Sequence, residues 1–124
     1  MGITEEEKES EWKSMKTSLF EVPELLKNFG AFDTDGWQEF FKNSSLRVGL
    51  YVLPPNGKDT QGPHAQDEIY YVLEGKGTLL CETTSNKERL QVKPGSVLFV
   101  ARETLHWFED FPEGLKLLVF FSQA

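Results

Sequence analysis

From Trp37 onward, apolar residues recur at every second position in short stretches of the chain. The first stretch spans residues 46–52, where leucine and valine alternate with Arg47, Gly49 and Tyr51. A period of two is typical of a β-strand with one buried face. Further short runs, each bounded by turn residues, lie at 69–73, 78–81, 89–92, 97–100, 105–111 and 115–121. Short strands separated by turns predict an all-β sandwich or barrel, and the last two runs are expected to form a hairpin.

The N-terminal region has a different pattern. Residues 1–18 are mostly polar, and Thr4 with Glu7 three positions later forms a capping-box pattern. This predicts a short helix over 5–16, with an extended arm as the alternative. A strand is expected at 18–22 and a helical turn opened by Pro23 at 23–29. The predicted organisation is an N-terminal arm, 1–22, followed by a single β domain, 23–124.

Composition and charge narrow the function classes. The 124 residues are 39% hydrophobic and contain one cysteine, Cys81, so a chain of one domain without an internal disulfide is expected. The net charge of −7 argues against a nucleic-acid partner, which would require a basic surface. No apolar run approaches the length of about 20 residues that spans a membrane, and no signal peptide pattern opens the chain. We therefore expect a cytoplasmic protein with neither a membrane nor a nucleic acid as partner.

The chain has two histidines, His64 and His106, and Glu68 follows the first of them by four positions. Residues four apart on one straight strand are separated by about 13 Å, too far to share an ion. His64 and Glu68 therefore converge only if residues 65–67 form a bend between two neighbouring strands, while His106 arrives from a third. Two imidazoles and one carboxylate are the ligand set of non-haem Fe(II) sites and also suit Mn, Ni, Cu or Zn.

Residues 57–110 resemble the two signature motifs of the cupin superfamily. The first motif contains a glycine, two histidines, a glutamate and a second glycine. It is matched by Gly57, His64, Glu68 and Gly75, with the required six residues between Glu68 and Gly75. Gly62 stands where the first histidine of the motif is expected.

The second motif is matched by Gly95 and His106 at the required spacing. Ala101, Glu103 and Asp110 replace its proline, second glycine and asparagine. The resemblance implies a double-stranded β-helix, a jelly-roll-like cupin barrel. It also implies a metal that cupins usually hold through three histidines and one glutamate.

Carried onto this sequence, the resemblance assigns a divalent metal ion (Fe, Mn, Ni, Cu or Zn) to His64, Glu68 and His106. Water, or a side-chain oxygen of Gln66 or Gln61, would replace the ligand missing at Gly62. Tyr70 shares the strand face of Glu68 and is the candidate proton or hydrogen-bond donor.

The leading functional hypothesis is a metal-dependent dioxygenase, isomerase or lyase acting on a small organic molecule. The alternative is a non-catalytic module that binds or senses a small ligand, with a structural metal or none. A metal-free sugar-modifying cupin ranks last. Arg47 and Arg102 are candidates for binding a substrate carboxylate, with solvated surface as the alternative. Since many cupins are dimers, a homodimer is expected.

Overall fold

Within the residues that the structure describes, the region of predicted strands forms eight strands in two antiparallel sheets. A computed structural model describes residues 17–29 and 36–123. Within these residues the elements are α1 (Val22–Lys27), β1 (Trp37–Lys42), β2 (Leu46–Leu53), β3 (Glu68–Glu74), β4 (Gly77–Glu82), β5 (Lys87–Val92), β6 (Val97–Val100), β7 (Leu105–Glu109) and β8 (Leu115–Ser122). The all-β prediction is confirmed.

One sheet has five strands in the order β1-β2-β8-β3-β6, and the other has three in the order β5-β4-β7. The predicted hairpin between the last two strands is therefore wrong, because β7 pairs with β4 whereas β8 pairs with β2 and β3. Strand β7 ends at Glu109, since Asp110 has a φ of 56° that interrupts an extended chain. The turn that follows carries the chain from one sheet to the other.

The core lies between the two sheets and follows from the alternation of β8. Leu115, Leu117, Val119 and Phe121 are buried, and the residues between them are partly exposed. Leu79 of β4 and Phe108 of β7 belong to the same buried cluster. The inward face of the five-stranded sheet thus supplies one wall of the interior.

Pairing across the five-stranded sheet places three inward-facing residues in one row. Phe121 of β8 is the register partner of Arg47 on β2 and of Glu68 on β3. In the next row, Val119 lies between Gly49 and Tyr70. These two rows form the floor of the candidate site.

Of the predictions for residues 18–29, one is confirmed and one is wrong. The helical turn opened by Pro23 is confirmed by α1, with Glu24 in its first turn and Lys27 in its last. The strand expected at 18–22 is wrong, because residues 17–21 have no regular structure and Val22 begins the helix. Phe20 instead places its ring 4.9 Å from that of Phe40 on β1, so its apolar surface is used in side-chain packing rather than strand pairing.

The helix expected over 5–16 lies outside the described residues, and the domain boundary at residue 22 stays a prediction. In the described parts of the chain, no helix is long and apolar enough to cross a membrane.

Candidate metal centre

The three predicted metal ligands come from three different places in the fold. His64 lies in the long loop 54–67 between β2 and β3, Glu68 is the first residue of β3, and His106 is the second residue of β7. The predicted bend is present at Ala65 and Gln66. His64 does not, however, leave a strand as expected, because Pro54 ends β2 and the loop has no strand pairing.

The loop brings His64 to the other two residues by one backbone contact. The carbonyl of His64 accepts a hydrogen bond of 2.8 Å from the backbone N–H of Glu103. The ligand atoms that His64, Glu68 and His106 can offer then lie within 4.8 Å of one another. The side chains of Glu68 and His106 are 2% and 1% exposed. The structure therefore gathers the three residues into one largely buried cluster.

Hydrogen bonding fixes the tautomer of His106. Its Nδ1 lies 2.8 Å from the carbonyl oxygen of Thr104, and because a carbonyl can only accept, Nδ1 carries the hydrogen. In the neutral imidazole Nε2 then has a lone pair, which is the form that binds metals. A backbone partner of this kind also fixes the ring orientation of ligating histidines.

A carboxylate oxygen of Glu68 lies beside the lone pair of His106 Nε2. Its Oε1 lies 3.0 Å from His106 Nε2, yet this buried oxygen has no partner of hydrogen-bond geometry among the described residues. Two lone pairs this close repel each other in a buried site unless a proton or a cation lies between them. The residues present thus fit a divalent cation.

The same proximity shifts the pKa of His106. Burial lowers this pKa. The Glu68 carboxylate, the Thr104 carbonyl and, more weakly, Asp59 together raise it by more than burial lowers it, so the pKa of His106 lies above its ordinary value. A proton on Nε2 satisfies Glu68 Oε1 in the way that a metal ion would.

The side chain of Gln61 contacts the cluster. Its Nε2 donates to Asp59 Oδ2 at 2.7 Å, which orients Oε1 toward the cluster. Oε1 lies 3.2 Å from His64 Nε2 and accepts from the Tyr70 hydroxyl at 3.0 Å. Gln66 lines the same cavity without a hydrogen bond to the cluster among the described residues, so Gln61 is the amide that touches it.

Sequence reasoning missed the residue that holds this arrangement, Asp59. Its two oxygens accept hydrogen bonds from the Tyr51 hydroxyl, the backbone and side-chain N–H groups of Gln61, and the backbone N–H of Phe108. These bonds join the loop to β2 and β7. No motif marks the position, because a lone aspartate in a polar loop has the sequence signature of a solvated turn.

Tyr70 projects into the site from β3, as predicted from its spacing to Glu68. Its hydroxyl also lies 3.1 Å from His106 Nε2. Burial, and then the negative charge of Glu68, raises the pKa of Tyr70 well above its ordinary value. The phenol is therefore protonated at neutral pH.

The cluster opens into a cavity of about 470 Å³. Its walls include four aromatic residues, Trp37, Tyr51, Tyr70 and Phe121. Of the two candidate arginines, Arg47 lines the cavity, whereas Arg102 forms a partly exposed ion pair with Asp67 at 3.3 Å. The cavity has the size of a small-molecule site.

Comparison with known proteins decides the family. The family model described as Cupin domain matches residues 49–121, which include all three residues of the cluster. The chain belongs to the cupin family.

A sequence relative and a solved structure each match most of the chain. This cupin is 37% identical over 103 residues to an uncharacterized protein of Streptomyces coelicolor, covering 83% of this chain and 93% of the relative. A solved structure from Bacillus halodurans superimposes with a TM-score of 0.72 at 15% identity, over 90% of this chain and 84% of that one.

An iron-loaded enzyme also shares the fold. The structure of Fe(II)-HppE with an alternative substrate matches with a TM-score of 0.58 at 18% identity, over 68% of this chain. The matched region is 48% of the HppE chain, so this cupin spans about half the length of that enzyme. At such identity the likeness shows the fold alone.

Proposed function

We propose that this cupin binds a divalent transition-metal ion through His64, Glu68 and His106 and is a metal-dependent enzyme acting on a small organic molecule. The observation that supports this most is the pair formed by His106 Nε2 and Glu68 Oε1, which are buried 3.0 Å apart and need a cation or proton between them. Two imidazoles and a carboxylate suit Fe(II) and also Mn, Ni, Cu or Zn.

An ion held by His64, Glu68 and His106 would supply Lewis acidity toward substrate oxygen atoms or O₂, which fits dioxygenase, isomerase or lyase chemistry. The chain itself supplies a hydrogen-bond donor. Tyr70 stays protonated because burial and the Glu68 charge raise its pKa, and its hydroxyl donates to Gln61 Oε1. A substrate oxygen that displaces Gln61 would receive this hydrogen bond instead, which makes Tyr70 the proposed hydrogen-bond donor to the substrate.

Metal content tests the first part of the proposal. Protein purified without added metal, then titrated with each of the five ions under anaerobic conditions, should hold about one ion per chain. Glu68→Gln and His106→Ala should lose it. Glu82→Gln is the matched control, because Glu82 is a strand glutamate that pairs with Lys87 at the surface. A wild-type protein that binds none of the ions would show that the metal proposal is wrong.

Water access tests the second part. An ion that binds substrate must have positions open to exchangeable ligands. Mn²⁺ bound to the wild type should therefore strongly enhance the relaxation of water protons, and a substrate-like chelator such as acetohydroxamate should reduce the enhancement. A bound Mn²⁺ without exchangeable water would favour a structural metal.

A non-catalytic binding module is the second candidate, and one observation favours it. Gln61 Oε1 accepts from Tyr70 and lies at hydrogen-bond distance from His64 Nε2, so part of the cluster is satisfied by the protein itself. A cavity that binds small ligands with equal affinity with and without metal would support this reading over catalysis.

A further inference from the structure

The cavity has a cation at one side of its floor. Arg47 is the one lysine or arginine among the described residues that line it. Its guanidinium carbon lies 5.5 Å from the centre of the Phe121 ring, a cation–π distance that holds the group over the floor. The Nε atom pairs with Glu39, and the two terminal nitrogens have no partner among the described residues. These two nitrogens form the fork that binds a carboxylate through two hydrogen bonds.

The metal cluster lies at a defined separation from this cation. Arg47, Phe121 and Glu68 occupy one row across three adjacent strands. Two strand spacings of about 4.8 Å put roughly 10 Å between the Cα atoms of Arg47 and Glu68. Both side chains line the cavity, so a ligand that contacts both must be long enough to reach from one of these strands toward the other, as a six-membered ring with substituents at opposite ends is.

The surface beside Arg47 is aromatic. The ring centres of Trp37 and Phe121 are 5.6 Å apart with an interplanar angle of 75°. Trp37 lies directly over Gly49, where an added Cβ would come within 2.4 Å of the indole. The absence of a side chain at Gly49 therefore lets the indole sit against the sheet, and the two rings form an apolar corner beside Arg47.

Charge determines which end of a ligand binds where. Glu68 makes the cluster end negative, whereas Arg47 is cationic and pairs with Glu39 through Nε alone. An anionic group is accordingly favoured at Arg47 and disfavoured beside Glu68 when no cation is bound there.

From these contacts we propose that the ligand of this cavity is a small planar monocarboxylate of about the size of a substituted benzoate. Its carboxylate binds the Arg47 guanidinium, its ring packs against Trp37 and Phe121, and its far end reaches the His64, Glu68 and His106 cluster. Only the last of these contacts rests on the proposed metal-dependent function.

Binding of matched probes by calorimetry tests the proposal. The probes are 4-hydroxybenzoate, its neutral analogue 4-hydroxybenzamide, and the non-planar cyclohexanecarboxylate. Wild-type protein should bind 4-hydroxybenzoate at least about tenfold more tightly than the amide, because only the acid forms a charge-assisted pair with Arg47. It should also bind 4-hydroxybenzoate more tightly than cyclohexanecarboxylate, because only a planar ring makes aromatic contacts with Trp37 and Phe121. Binding of the amide or the non-planar acid as tightly as 4-hydroxybenzoate would overturn the proposal, as would a wild type that binds none of the three.

Variants then locate the carboxylate. Arg47→Met should weaken 4-hydroxybenzoate by about tenfold or more and leave the amide unchanged, and Arg47→Lys should restore part of the loss. Arg89→Met is the control, because Arg89 pairs with Glu109 and Asp110 outside the cavity. Equal affinity of wild type and Arg47→Met for 4-hydroxybenzoate would overturn the proposal.

Repeating the titrations with and without Zn²⁺ keeps the two proposals distinguishable. If the protein binds no metal but retains the Arg47-dependent preference for the acid, the metal proposal fails and the ligand proposal stands. If metal binds but Arg47→Met has no effect, the ligand proposal fails alone.

Discussion

The loop that carries His64 is predicted to depend on the Asp59 carboxylate, which Asp59→Asn tests with minimal change of shape. Oδ1 accepts from the Tyr51 hydroxyl and the Gln61 backbone, and Oδ2 accepts from the Gln61 side chain and the Phe108 backbone. An amide nitrogen at Oδ2 would face two N–H donors, whereas at Oδ1 the Tyr51 hydroxyl can rotate to accept and only the bond from the Gln61 backbone is lost. Bonds to a charged group contribute about 1.5–3 kcal/mol each. Asparagine adopts the less costly orientation, so we take the lower bound for one bond and expect a loss of about 1.5 kcal/mol.

The assay is equilibrium urea unfolding of the metal-free protein, followed by circular dichroism. The control is Asp110→Asn, because Asp110 is exposed, pairs with Arg89 at 3.6 Å and has a φ of 56° that asparagine tolerates. This control should remain within about 0.5 kcal/mol of wild type. If Asp59→Asn also remained within that range, the reasoning that Asp59 fastens the loop would be refuted.

Four further predictions rest on the same geometry. Because a proton on His106 competes with metal and its pKa is raised, metal affinity should level off above that pKa and fall about tenfold per pH unit below it; an affinity independent of pH would contradict this. In the metal-free protein, stability should change with pH in the opposite direction, because the raised pKa of His106 stabilises the fold at pH values below its ordinary value near 6.5. This stabilisation is lost as the pH rises through the pKa of His106 in the folded protein. Urea titrations at several pH values measure the change. Gly49→Ala should cost about 1–3 kcal/mol and displace Trp37, seen as a shift in its fluorescence. Gly62→His, at a position with open space around it, should lower the metal Kd by about tenfold, or about 1.4 kcal/mol, and an unchanged Kd would argue against a fourth ligand from this position.

The strands and the cluster were largely predictable because their signals are local. Period-two alternation identified β2 and β8, and the four-residue spacing of His64 and Glu68 required the bend that the structure contains at Ala65. Tyr70 followed from Glu68 by strand geometry alone. Each of these inferences needed only the direction in which a side chain leaves its strand.

Strand partners and the support of the site were not predictable in the same way. The turn after β7 has the composition of a hairpin turn, yet the positive φ of Asp110 and the inter-sheet core lead β8 to another sheet. Gln61 and Asp59 act through hydrogen bonds to segments remote in sequence, such as the amide of Phe108. A local pattern has no information about such partners, since only the assembled fold brings them together.

The placement of His64 on a loop has a consequence for the kinetics of metal exchange. Glu68 and His106 lie on strands of two different sheets, whereas His64 reaches them through one backbone bond to Glu103 and through its Gln61 contact. Regions with few backbone bonds open locally at a lower free energy than sheets do. We therefore expect an ion to dissociate by local opening of the loop, at a rate that barely changes in dilute urea. Release that accelerated as steeply with urea as global unfolding would place the exchange step in the sheets instead.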